Sequence, residues 1–229
     1  MKIIKFIPWP GKDLVGPKPI KASVPQWWKD GETEFESVNG GMANGLKTCV
    51  PFMEIMMTGY YLLTPFDIYV TKDDEGNVNI QWHGPDNVYQ TFVTEREKKI
   101  GETIPRPAGH LPNHFAWYSH WSWKTPKGYS TFVSHPFNRY DLPFTTMNGI
   151  VDSDKFNGNG NMPFFLKDGF EGIIPEGTPY AQIYPFKRDT WKSWVDDSEN
   201  NKIQSLQIDP IRQKGNSYKK RFWQKKGFK

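Results

Sequence analysis

Two aspartates stand where a carboxylate could do chemistry. Asp152 and Asp154 follow the short apolar run Gly149-Ile150-Val151. A carboxylate fixed at a strand end can activate water as a general base. Aspartate is equally common as a turn cap in that position, so the catalytic and the structural role both stay open. Four histidines, His110, His114, His120 and His135, are the candidates for a metal, but Pro112 interrupts the i, i+4 spacing of the first two. Neither a second cysteine nor a tight histidine–carboxylate spacing supports zinc, so no metal site is expected. Cys49 is the single cysteine; it excludes an internal disulfide and, with no activating base near it in sequence, reads as a buried, inert thiol. Trp117, Trp121 and Trp123 fall on one face of a strand reading. Such a stripe serves a core, a stacking surface or a subunit interface, and interface is the role favoured here.

Charge is unevenly placed. The chain carries a net +4, yet Lys214 to Lys229 alone holds seven Lys or Arg and no acid, so the remainder is net negative. Tyr218, Phe222, Trp223 and Phe228 interleave with those cations. Lys219, Lys220, Arg221 and Trp223 are therefore the candidate partner-binding residues. An arm docked on an acidic protein surface is favoured, and nucleic acid, held by charge and base stacking, is a further candidate partner.

The elements that must position these residues are short. Among 229 residues, 20 are Gly and 19 Pro, and they fall between short apolar runs, as in a mainly β chain. The spacing predicts a helix from Pro51 to Thr58 ended by Gly59. It predicts a hairpin of Phe66–Val70 with Val78–Trp82 across the Asp73–Asn77 turn, and one strand over Trp117–Trp123. Pro126-Lys127-Gly128 should turn into a strand at Tyr129–Ser134, and Pro175-Glu176-Gly177 into one at Tyr180–Phe186. Gly149–Val151, Phe164–Leu166 and Gly172–Ile174 read as further strands, and Asp189–Val195 as one or two helical turns. Trp27-Trp28 would pin the first segment to the body or to a neighbouring subunit. No apolar run approaches 18 residues, and Met1 to Pro10 is too short and too proline-broken for a signal segment. The expectation is a protein of the cytoplasm or of a virion, with no membrane contact.

Two segments resemble a known family. Gly149-Ile150-Val151-Asp152-Ser153-Asp154 resembles the third motif of the dUTPase and dCTP-deaminase superfamily, in which a strand delivers an aspartate into the nucleoside pocket. Glu176-Gly177-Thr178-Pro179-Tyr180-Ala181-Gln182-Ile183 resembles its fourth motif, a turn followed by a strand carrying an Ala-Gln pair. They come in the family's order, and Pro126-Lys127-Gly128-Tyr129 sits where the family has a similar turn and strand. The likeness runs from Thr125 to Arg188; the chain as a whole also resembles a family found in bacteria and phages. The resemblance implies a mainly β, dUTPase-like β-clip core with short helices and extended N- and C-terminal arms. With the proline-punctuated start and the basic end, the chain divides into an N-terminal arm over 1–45, a β-clip-like domain over 46–195 and a basic arm over 196–229. The resemblance also implies a homotrimer, with Arg139, Phe156 and Gln182 as ligand-binding candidates.

The departures concern phosphate. The family's second motif, Arg-Ser-Ser, is replaced by Ser134-His135-Pro136-Phe137-Asn138-Arg139, and its first motif by Gly59-Tyr60-Tyr61, with tyrosine where aspartate belongs. The aromatic of the third motif gives way to Lys155, with Phe156 one place later, and the glycine-rich final arm is missing. What is kept builds strands and turns; what is lost touches phosphate. The expected function is therefore a non-catalytic binding or assembly module, with a phage or virion structural component as the setting, no cofactor, and itself and other assembly proteins as partners. The alternatives are a divergent dUTPase-like nucleotide hydrolase using Asp152 and Arg139, the one case in which Mg²⁺ would enter, and a nucleic-acid-associated protein using the basic arm.

Overall fold

The computed structural model describes residues 2–9, 14–84, 91–156, 158–208 and 217–229; of the residues named above, Met1, Pro10 and Lys214 lie outside them. The protein is mainly β, with 36% strand against 16% helix, and its helices are short. The chain divides into two compact units, one joining Met1–Lys18 to Gly59–Arg188, the other joining Pro19–Thr58 to Asp189–Lys229.

In the first unit, Gly149–Val151, Tyr129–Ser134, Pro179–Lys187 and Tyr60–Leu63 are antiparallel neighbours in that order. A second sheet runs Phe144–Thr146, Asn161–Lys167, His110–Tyr118, Val93–Glu95. A third has Ile68–Lys72 between Gly172–Ile174 and Val78–Trp82, and Lys5–Pro8 pairs with Trp121–Lys124. Tyr60–Leu63 is buried along its whole length, as its unbroken apolar run implies, whereas Ile68–Lys72 alternates and buries only Ile68 and Val70 fully. The core is aromatic. Trp117 stacks on Phe164 with centroids 3.8 Å apart and meets Phe144 edge-on at 5.0 Å, and Phe92 and Tyr180 close the cluster. Each such pair contributes roughly 0.5–1.5 kcal/mol beyond the area it buries.

In the second unit, Trp28 on the Gln26–Asp30 helix stacks on Phe52 of the Val50–Ile55 helix, and Trp27 packs edge-on against Trp28. Pro51 occupies the first helical turn, where its missing N–H costs nothing. Glu34–Glu36 pairs with Met42–Asn44, and Asn200–Ile208 and Ser217–Arg221 are helical.

Three local expectations are corrected. Trp117–Trp123 is not one strand: the chain breaks at Ser119-His120, and Trp117 and Trp121 join different sheets. Ser119 Oγ takes the Trp121 N–H and donates to the Trp121 carbonyl, which folds the backbone back on itself. Trp117 and Trp123 are accordingly core residues of this chain and not an interface stripe. Asp189–Val195 forms no helix, and Trp191, Trp194 and Val195 stand exposed; a helix that short needs a packed face. Cys49 is exposed at the N-cap position of the Val50–Ile55 helix, without a side-chain capping hydrogen bond, instead of filling a core.

Gly59 holds the Tyr60–Leu63 strand close to its neighbour. Its φ is +87° and an added Cβ would sit 2.1 Å from the Ile183 carbonyl oxygen; Gly76 shares the conformation (φ +82°) but opens onto empty space. Both Gly→Ala changes incur the left-handed penalty of roughly 1–2 kcal/mol, and Gly59→Ala should lose about 1–3 kcal/mol more through overpacking. Urea midpoints of the two variants measure the difference, and equal midpoints would mean that the close approach at Gly59 is not tight.

Candidate functional site

Strand register assembles a polar cluster at one end of the first unit's sheet. Tyr129–Ser134 pairs with Gly149–Val151 so that Thr131 faces Val151, which places Asp152, one residue on, beside Ser130. The same strand pairs with Pro179–Lys187 so that Tyr129 faces Lys187, which places Arg188 beside Gly128, whose carbonyl accepts the Arg188 N–H at 2.9 Å. Two loop aspartates and an arginine from a third strand thus meet at one end of the sheet. A turn after the strand, closed by the Lys155 and Phe156 N–H groups on the Asp152 carbonyl, swings Asp154 inward.

The Arg188 guanidinium grips Asp154 with two hydrogen bonds, Nη1 to Oδ1 at 2.7 Å and Nη2 to Oδ2, while the Gly128 N–H donates to Oδ2 at 2.9 Å. The Asp154 side chain is only 3% exposed. Asp152 is 58% exposed and accepts from Ser130 Oγ at 2.7 Å and Arg188 Nη1 at 3.2 Å, both on Oδ1. Beneath them, Ser153 Oγ is buried between the hydroxyls of Thr125 and Thr131. Both carboxyls are held below the usual range: Asp154 by the Arg188 hydrogen bonds first and the Gly128 N–H next, Asp152 by the Ser130 hydroxyl first and Arg188 next. A carboxylate so stabilised is a poor general base near neutrality, since its affinity for a proton has been spent on fixed donors.

Arg139 lies elsewhere. It sits beyond Ser134, at the opposite end of the strand from Ser130; four residues of strand separate the two places by about 13 Å. There its guanidinium is bidentate on Asp141, with Nε and Nη2 contacts of 2.8–3.1 Å. Asp152 and Arg139 therefore do not converge in this chain, and a hydrolytic pair built from them is not formed within it. The loop carrying Arg139 is braced throughout. Gln182 Oε1 accepts the Phe137 N–H at 2.8 Å, so Gln182 is a loop anchor. The Thr146 N–H donates to His135 Nδ1 at 3.3 Å, which leaves the proton on Nε2 to donate to the Arg139 carbonyl at 3.0 Å. Burial pushes the His135 imidazole below its ordinary pKa, consistent with that neutral tautomer. Tyr61, buried near the guanidinium, has its phenol pushed up by burial, with Arg139 acting in the opposite sense.

The remaining candidates fall in separate places. Phe156 is half exposed and its ring lies on Gly158, where an added Cβ would meet Cζ at 2.5 Å. His110 is engaged at both ring nitrogens, by the Ala108 carbonyl and Thr145 Oγ1. His114 and His120 are buried among aromatic rings. In the second unit, the Ser217–Arg221 helix carries Lys219, Lys220 and Arg221, and Trp223 follows it. Lys226 Nζ pairs with Glu54 of the same chain at 2.8 Å, so the basic segment has an intrachain anchor. Arg188, which organises the first cluster, went unnoticed in the sequence because only strand register reveals it.

The cluster does not suit Mg²⁺. That ion takes carboxylate oxygens and water in an octahedron. Here both Asp154 oxygens and Asp152 Oδ1 already accept hydrogen bonds, and a guanidinium occupies the space between the carboxylates.

The depressed Asp154 pKa fixes a sign. On acidification the unfolded chain takes up the proton first, so the stability tied to this carboxylate is complete above about pH 4 and is lost progressively below it. Asp154→Asn should lower the urea midpoint near neutrality and flatten its decline in acid. A variant whose acid decline matches that of the parent would remove the pair from the stability of the unit.

No family model matches the chain, and no curated protein sequence does either. Among solved structures, the native dUTPase of EIAV is similar over 74% of this chain and 96% of its own, at 10% identity and a TM-score of 0.31. A point mutant of the dUTPase from S. aureus phage phi11 is similar over 48% of this chain and 99% of its own, at 12% identity and a TM-score of 0.28. Both likenesses are distant.

Proposed function

We propose that this protein is a non-catalytic binding and assembly module. The observation that carries the reading is the internal neutralisation of the groups that could have handled a nucleotide. Arg188 is committed to Asp154 and Asp152, Arg139 to Asp141, and the two ends of the strand keep these pairs apart. Phosphate transfer needs cations left open to the phosphates and a carboxylate able to take a proton; here Arg139, Arg188, Asp152 and Asp154 are held by protein partners. The surface of the same unit carries large apolar residues with no evident use in a monomer, among them Ile150 at 65% and Tyr140 at 78% exposure. Ile150 lies on Gly149–Val151, an edge strand of its sheet, the kind of position that offers itself to another chain. Self-association through such surfaces is the assembly we propose, with three copies as the resemblance to the dUTPase-like superfamily implies and a phage or virus particle as its setting.

Titration calorimetry with dUTP, dCTP and their monophosphates, with and without Mg²⁺, should give no binding heat and no pyrophosphate, and sedimentation velocity should give a discrete oligomer. Ile150→Asp should shift that oligomer toward smaller species while leaving the circular dichroism spectrum unchanged. Turnover of a nucleotide that Asp152→Asn abolishes would sink the reading and establish a divergent hydrolase; a monomer at every concentration would sink the assembly half alone.

A further inference from the structure

From Lys219 to Lys229 there are six cations and no acid, with aromatic residues between them. A charge run of this kind is most often a solvated face, but this one is tied down. Lys226 Nζ lies 2.8 and 2.9 Å from the two Glu54 carboxylate oxygens. Trp223 and Phe228, both partly buried, line a small cleft with Met53, Glu54, Met57 and Thr58. Upstream, one turn of helix ends with the Phe222 and Trp223 N–H groups both on the Tyr218 carbonyl. Anchoring on one side fixes what the other side shows. Tyr218 and Phe222 are 46% and 49% exposed, their ring centroids 6.2 Å apart, four residues apart on one face of the turn. Lys219, Lys220 and Lys225, close to them in sequence, are exposed and pair with no acid among the described residues.

We infer that this anchored segment is a binding surface for single-stranded nucleic acid. The lysines supply phosphate contacts, and the two exposed rings supply faces on which unpaired bases stack. Duplex DNA satisfies the charges but not the rings, because its bases are already stacked on one another. An acidic polypeptide likewise satisfies only the charges. Ordering the segment beforehand removes part of the entropy that a free basic tail would lose on binding. This surface lies in the second unit and uses none of the residues around Asp152.

The test is fluorescence anisotropy of the full chain with a labelled oligothymidylate, compared with a duplex of equal length and with polyglutamate as competitor. The single strand should bind tightest, with affinity falling steeply as salt rises. Replacing Tyr218 and Phe222 together by Leu should cost about ten-fold or more on the single strand, leave the salt dependence alone and hardly affect the duplex. Replacing Lys219, Lys220 and Lys225 by Gln should reduce the logarithmic salt slope by roughly 2, at about 0.7 for each phosphate contact on a single strand. All five side chains are exposed, so these variants keep the Glu54–Lys226 anchor and the fold. No binding at low salt overturns the inference. So does duplex binding as tight as single-strand binding and indifferent to the rings, which would be charge alone, or displacement by polyglutamate at equal charge, which would indicate an acidic protein partner.

Discussion

A carboxylate that is 3% exposed cannot stay ionised without a partner, and Arg188 is the partner for Asp154. Much of the first unit's central sheet is arranged around that requirement. Asp154 is delivered by the turn after Gly149–Val151, Arg188 by the end of Pro179–Lys187, and the third donor, the Gly128 N–H, by the turn into Tyr129–Ser134. A slip of one residue in either pairing would carry Arg188 or Asp152 to the wrong face, since side chains alternate along a strand. The ion pair is thus a register lock at one end of the sheet. At the other end the neutral chain of contacts from Thr146 through His135 to Arg139, with Gln182 on Phe137, performs the same service for the loop.

Between the two ends the aromatic core is threaded by a line of hydroxyls. Trp117 Nε1 donates to Thr146 Oγ1, whose hydroxyl in turn donates to the Tyr180 carbonyl at 2.6 Å. The Tyr180 phenol donates to Ser119 Oγ, which donates to the Trp121 carbonyl at 2.6 Å. Large rings supply buried area, but indole N–H and phenol O–H groups must find acceptors when they are buried. Small hydroxyl residues at Thr146 and Ser119 meet that need without adding bulk. The Tyr180 phenol, wholly enclosed, is pushed far above its ordinary pKa by burial, so it remains a donor at any physiological pH.

What was legible in the sequence was local. Asp73, with its Oδ1 taking the Glu75 and Asn77 N–H groups, makes a turn that its own neighbours specify. The Gly149–Val151 strand, the turn at Gly128 and the proline-led helix after Cys49 were visible for the same reason. Non-local facts were hidden. Alternation cannot show that Ser119 breaks a strand, because a serine is as good a strand residue there as any other. The sequence nominated Asp152 and Asp154 but not the arginine that neutralises them. It nominated Arg139 without showing that a carboxylate two residues on, Asp141, claims its guanidinium. Both gaps bear on chemistry, since a titratable side chain acts according to what occupies its hydrogen-bonding positions.

That same criterion separates the two units. In the first, Arg188 is closed by Asp154 and Arg139 by Asp141, and Lys72 faces Asp168. In the second, Lys226 meets Glu54, while Lys219, Lys220 and Lys225 are exposed and pair with no acid among the described residues. A paired cation contributes to folding and offers little to a ligand, because a newcomer must first displace a carboxylate already in place. An unpaired surface lysine contributes little to folding, and its whole electrostatic interaction is available to a polyanion. Paired charge braces the strand-built body, whereas the basic segment carries exposed lysines beside its Lys226–Glu54 anchor.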